Sequence, residues 1–264
     1  MFKDIYQNRR MIYKLAKNDF KTRYAGSVFG TVWAVVQPLV TIAVYYFVFG
    51  LGFRGGQDVG TIPFVLYLVA GIVPWLYFQE ALMNGTSSLL EYSYLVKKVV
   101  FNINVLPVVK LVSASFVHLV FICITFILFA FYGRFPDLYC LQLIYYFVCL
   151  SLLILALSYT TSAVVVLFRD LGQIVNILLQ VGVWLTPIMY DVNAMFANYP
   201  WVPKVLKLNP VYYIVSGYRD ALLNKRWFWE SPKWTLYFWV VTVLLFLFGK
   251  WVFNRLRVHF ADVL

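Results

Sequence analysis

Histidine occurs twice and cysteine three times in 264 residues, and acidic residues number only eleven. That scarcity removes most active-site chemistries at the outset. His118 and His259 stand alone. Cys123, Cys140 and Cys149 lie in or beside apolar runs, without metal-ligand spacing or a neighbouring histidine, and read as small packing residues. Glu80, Glu91, Asp170 and Asp191 are scattered along the chain. They form neither the paired acids nor the Asp–His constellation that an integral-membrane glycosyl- or acyltransferase needs. No G-x-x-x-x-G-K-[ST] phosphate loop occurs, since Gly249-Lys250 lacks both the upstream glycine and the following Ser or Thr. The chain is therefore expected to hold no metal, no catalytic residue and no cofactor of its own.

Charge is thin as well. Charged residues make up 12% of the chain and hydrophobic residues 62%, against about 25% charged in a soluble domain. The balance excludes a soluble enzyme domain and points to a bilayer as the main solvent. The net charge of +11 does not mark a nucleic-acid binder, because the basic residues gather at the ends of apolar segments, where they set membrane orientation. The first 24 residues are charged and lack an early apolar core, so they are not read as a cleaved signal peptide.

The pattern predicts an all-α membrane protein with six spans, at 28–50, 61–83, 105–132, 138–168, 172–190 and 233–254. Residues 2–24 read as a basic amphipathic helix, with Phe2, Ile5, Ile12, Tyr13, Ala16 and Phe20 on one face. Such a helix suits the headgroup layer or a docked partner equally. Thirteen Lys and Arg residues fall on the side of the termini and two, Arg54 and Arg134, in the short loops opposite. The positive-inside rule then places both termini in the cytoplasm. The stretch between Tyr190 and Lys233 is too charged to span and too apolar for a disordered linker. Asn209-Pro210 reads as a helix start within it, with Asn as cap and Pro in the first turn.

Two spans carry polar rows. Trp33, Gln37, Thr41 and Tyr45 recur every four residues in the first. In the fifth, Gln173, Asn176, Gln180 and Trp184 share one face. Such rows serve either as hydrogen bonds between helices or as the wall of a transport path.

Several stretches, in order along the chain, resemble the permease subunit of type-2 ABC exporters for bacterial surface polysaccharides. They are Lys21-Thr22-Arg23-Tyr24 through Gly30, Trp33 and Pro38; Gly71-Ile72-Val73-Pro74-Trp75; Phe168-Arg169-Asp170; Trp184-Leu185-Thr186-Pro187-Ile188; and Asn209-Pro210 followed by Arg219. Within that family, Val44–Gly50 and Leu141–Tyr146 look most like the wall teichoic acid translocation permease, with O-antigen and capsular polysaccharide permeases sharing the general pattern. The resemblance implies a multi-pass protein of the bacterial cytoplasmic membrane. It implies a homodimer bound to two copies of an ATP-binding subunit, which would supply ATP and Mg and hydrolyse the nucleotide. It implies an interface helix at 2–24, a cytoplasmic coupling helix at 86–98 and outer re-entrant helices in 191–228. The substrate would be a lipid-linked polymer passing Trp33, Gln37, Thr41, Tyr45, Asn176, Gln180 and Trp184. ATPase coupling is expected at Glu91, Tyr94, Lys97, Lys98, Arg169 and Asp170, and Arg23, Lys97 and Lys98 are expected to draw a polyanion to the cytoplasmic entrance.

Overall fold

The structure, a computed structural model, describes residues 2–53, 55–96 and 101–263, and the described residues form helices and turns with no β-strand. The amphipathic N-terminal stretch is α1 (Phe2–Gln7) and α2 (Arg9–Arg23). A 3-10 turn, Gly30–Val32, opens α3 (Trp33–Tyr45), which runs on as a π-helical stretch, Tyr46–Phe53. Then come α4 (Phe64–Glu91), α5 (Ser93–Val96), α6 (Leu106–Phe131), α7 (Gln142–Leu167) and α8 (Leu171–Leu185). Three shorter helices follow, α9 (Val192–Met195), α10 (Val202–Leu206) and α11 (Pro210–Arg219), ahead of α12 (Pro232–Leu256) and α13 (Phe260–Val263).

Among the described residues five helical segments are long and apolar enough to cross a membrane: Gly30–Phe53, Phe64–Glu91, Ile103–Phe131, Leu138–Leu167 and Pro232–His259. The fifth expected span, 172–190, is shorter than the sequence pattern implies. It ends at Leu185, and 15 residues reach about 22 Å at ~1.5 Å per residue, short of the ~30 Å hydrocarbon core. Pro187 sets that limit. The residue before a proline is pushed out of the α region, and Thr186 sits at φ −99° and ψ 115°.

Helix α4 is the centre of the bundle. Of its 28 residues 18 are buried, and it packs on α6 and α7, with α7 packed in turn on α12. Lipid offers no hydrophobic drive between helices, so close fit and interhelical hydrogen bonds hold them. Tyr77 Oη lies 2.9 Å from Ser115 Oγ on α6 and 3.0 Å from Ser151 Oγ on α7, and Thr86 Oγ1 donates to Thr161 on α7 at 2.8 Å. By contrast α3 buries only Ala34, and α8 buries three residues, Val175, Leu179 and Val183.

The N-terminal helix α2 is packed onto the bundle. Its apolar face packs on the rest of the same chain: Ile12 and Ala16 are buried in a cluster with Leu89, Leu106, Val109 and Phe253. Tyr13 and Phe20 each meet Phe116 of α6 edge-on, at 6.1 and 6.0 Å. The segment 86–98 is not one separate helix. Residues 86–91 complete α4, the helix breaks at Tyr92, α5 has four residues, and Lys97 and Lys98 lie outside the described residues. In 191–228 the Asn209 start is as expected: its side chain accepts from the Val211 amide at 3.0 Å. The helix it begins, α11, packs against α4 and α7, burying Ile214, Val215 and Tyr218.

Candidate functional site

The row on α3 lines a cavity. Trp33, Gln37, Thr41 and Tyr45 form one wall of a space of about 410 Å³. Leu76, Gln79, Glu80, Met83 and Asn84 of α4, and Val117, His118 and Phe121 of α6, form others, with Arg23 and Tyr24 at the end of α2. A second cavity of about 270 Å³ continues from it, sharing Thr41, Tyr45, Leu76 and Gln79 and adding Gln180, Val183 and Trp184 of α8. Part of each row, Thr41 and Tyr45 of α3 and Gln180 and Trp184 of α8, therefore lines the second cavity. Phe49 and Trp184, with ring centroids 5.9 Å apart, join the π-helical stretch after α3 to α8. Close approach of α8 to α4 rests on Gly182, where a Cβ would fall 2.8 Å from Trp75 Cη2. Asn176, expected in the same row, is half-buried and lines neither cavity.

A buried charge cluster borders the first cavity. Arg23 Nη1 donates to Glu80 Oε1 at 2.5 Å and Nη2 to Asp19 Oδ2 at 3.0 Å. Lys110, 2% exposed, donates to Asp19 Oδ1 at 2.5 Å and pairs with Glu91. Tyr92 Oη donates to the same Asp19 oxygen as Lys110, at 3.0 Å. Burial alone would raise the Asp19 carboxyl, but hydrogen bonds to Lys110 and Ser113 and the charges of Lys110 and Arg23 outweigh it and hold it below the ordinary aspartate value. Burial likewise opposes the Arg23 charge, yet Glu80 and Asp19 raise it above its usual value. Arg23, expected to draw a polyanion at the cytoplasmic entrance, lines this cavity with its charge balanced by Glu80 and Asp19.

Sequence reading missed Lys110, Asp19 and Glu80 as a group. The available signal was the lysine inside an apolar span, since an intramembrane ionisable residue is a functional candidate by default. Glu80 and Glu91, apparently scattered, meet in this one cluster, each paired with a cation. His118 is also far from isolated. It is buried against Tyr77 (4.6 Å between centroids, 24°) and Phe147 (5.5 Å, 9°), with Nε2 3.0 Å from Tyr218 Oη. Among the described residues no group of His, Cys, Asp and Glu has the arrangement of a metal site.

The remaining motif residues build a second buried anchor. Arg219 donates through Nη1 to the Pro187 carbonyl (2.8 Å) and through Nη2 to that of Ile188 (2.5 Å), and lies over the Tyr67 ring at 3.6 Å. Gly71 leaves room for it, since a Cβ there would fall 2.8 Å from Arg219 Nη2. Asn209 Nδ2 donates to Thr186 Oγ1 at 2.9 Å. Of the expected coupling residues, Glu91 is held by Lys110 and Ser87. Tyr94 is 57% exposed, and Arg169 and Asp170 are exposed at the α7–α8 turn.

The model of the ABC-2 type transporter family matches residues 11–223. The chain belongs to the ABC-2 type transporter family. This ABC-2 permease is similar over nearly its whole length to proteins named O-antigen export system permease protein RfbA. One from Klebsiella pneumoniae is 27% identical over 266 residues, covering 96% of this chain and 95% of the relative. Another, from Myxococcus xanthus, is 26% identical over 262 residues, covering 99% and 98%. The permease is a multi-span protein of the bacterial inner membrane, a membrane subunit of the ABC-2 transporter type.

Proposed function

We propose that this permease exports an O-antigen-type surface polysaccharide, carried on a lipid, from the cytoplasmic to the outer side of the membrane. The observation that carries this reading is the pair of joined cavities, where α3 and α8 present Gln37, Thr41, Tyr45, Gln180 and Trp184 to one space. The names of the full-length relatives favour O-antigen over wall teichoic acid. The runs that carry the teichoic acid likeness, Val44–Gly50 and Leu141–Tyr146, contribute only Tyr45 to the two cavities, so they say little about cargo.

In this reading two copies of the chain form the conduit, and two copies of a separate ATP-binding subunit bind the cytoplasmic side through α2, the α4–α5 corner with Glu91 and Tyr94, and the turn at Arg169 and Asp170. ATP and Mg act in that partner. Both termini face the cytoplasm, in line with the Lys and Arg distribution, with α8 and the non-helical residues 186–190 after it together making the sixth crossing. Reconstituted with the partner in liposomes, the wild-type protein is expected to move a lipid-linked glycan only when ATP is present. Gln180→Leu should lower that rate about tenfold, the scale of ~1.4 kcal/mol, whereas Asn176→Leu should leave it near wild type. Transport without ATP, or an unchanged rate in Gln180→Leu at normal expression, would refute the assignment.

A further inference from the structure

We propose that the joined cavities select an electrically neutral, hydroxyl-rich glycan and disfavour a polyanionic one such as a polyol phosphate. This rests on the exporter reading above and adds the charge class of the cargo.

Recognition of phosphate or carboxylate needs an open guanidinium fork or an unspent ammonium. Among the described residues lining the two cavities, the only charged side chains are Arg23 and Glu80, 2.5 Å apart. Arg23 donates through Nη1 to Glu80 and through Nη2 to Asp19, so its charge is already balanced by two carboxylates. Lys110 stands behind the wall and is spent on Asp19 and Glu91. On the lining itself one arginine and one glutamate balance. An entering anion would therefore meet no unpaired cation beside a low-dielectric wall, where an uncompensated charge is costly. A second copy of the chain would bring the same residues and the same balance.

What the walls do offer is uncharged hydrogen bonding and flat apolar surface. Gln37, Gln79, Asn84 and Gln180 present side-chain amides, which both donate and accept, as sugar hydroxyls do. Trp33, Tyr45 and Trp184 supply rings against which the apolar faces of sugar rings can lie.

The test uses the full-length permease with its ATP-binding partner in nanodiscs, followed by tryptophan fluorescence. The probes are a lipid-tagged neutral glucose hexasaccharide and a lipid-tagged glycerol-phosphate hexamer. The neutral probe is expected to bind at least tenfold more tightly. Gln37→Arg, which adds an unspent cation at an exposed position on the cavity wall and removes one of the recognising amides, should tighten the phosphate probe about tenfold and weaken the neutral one. Glu80→Gln, which removes one of the two carboxylates balancing Arg23, should shift the ratio the same way. Equal or tighter binding of the phosphate probe by wild type, or no binding of the neutral probe, overturns the inference. ATP-driven export of a phosphate polymer would sink it while leaving the exporter reading intact, whereas loss of ATP dependence would sink that reading instead.

Discussion

Lys110→Ala is expected to be among the most damaging single substitutions in this protein. The ammonium is 2% exposed and holds Asp19 and Glu91. Removing one partner from a buried ionic cluster leaves an uncompensated charge, at about 3–5 kcal/mol. Asp19 suffers most, because only Arg23 would remain to balance it, whereas Glu91 is half-exposed and can turn to water. The damage should fall on the docking of α2, since Asp19 and Arg23 are its two residues tied ionically to α4 and α6. The measurements are thermal unfolding in detergent, protease cleavage around residues 9–23, and retention of the ATP-binding partner on purification. Lower stability, faster cleavage and loss of the partner are expected together.

Replacing the pair by uncharged residues of similar shape, Asp19→Asn with Lys110→Met, should recover most of the loss, because removing both charges avoids the orphan. An unchanged Lys110→Ala protein would show that the cluster does not fasten the interface helix. The pH dependence has a definite sign. The Asp19 carboxyl titrates below its unfolded value of 3.8 in the folded state. Its stabilising contribution is therefore present in full above that value and is lost as pH falls through the lower folded value.

How much of this was legible in sequence depends on the reach of each signal. The α3 row was legible because four-residue spacing places Trp33, Gln37, Thr41 and Tyr45 on one face whatever surrounds them. The same logic on α8 places Gln180 and Trp184 on the second cavity, while Asn176, on the same face, lines neither. Periodicity assigns a face and says nothing of depth, and four residues along the helix is ~6 Å, enough to pass the end of the cavity. The length of α8 was misjudged because hydropathy runs smoothly through Leu185, while the break comes from the conformation Pro187 imposes on Thr186. The charge cluster was invisible for a different reason. Lys110 and Asp19 stand 91 positions apart, and averaging over an apolar span hides a single lysine. Arg219 gave least warning of its role, since its partners are backbone carbonyls, which leave no trace in the residue pattern.

Arg219→Ala should be as destabilising as Lys110→Ala but should fail differently. Truncation removes both donors to the Pro187 and Ile188 carbonyls, at ~1–3 kcal/mol for each buried acceptor left unpaired. It also removes the guanidinium from the face of Tyr67, worth up to about 2 kcal/mol when desolvated, and leaves a void beside Gly71. A total on the order of 4–6 kcal/mol follows. Arg219→Lys should not rescue it, because one ammonium cannot reproduce a planar fork that reaches two carbonyls while lying flat on a ring. The carbonyls that lose their donors directly follow α8, the helix carrying Gln180 and Trp184, so their release should loosen that wall of the cavity. Expected results are a large fall in thermal stability and near-complete loss of ATP-driven glycan transport. The ATP-binding partner should nevertheless stay bound, since α2 and its charge cluster are untouched. Loss of the partner in Arg219→Ala, or full rescue by lysine, would show that the two anchors are not independent and that the fork geometry is not what holds the end of α8.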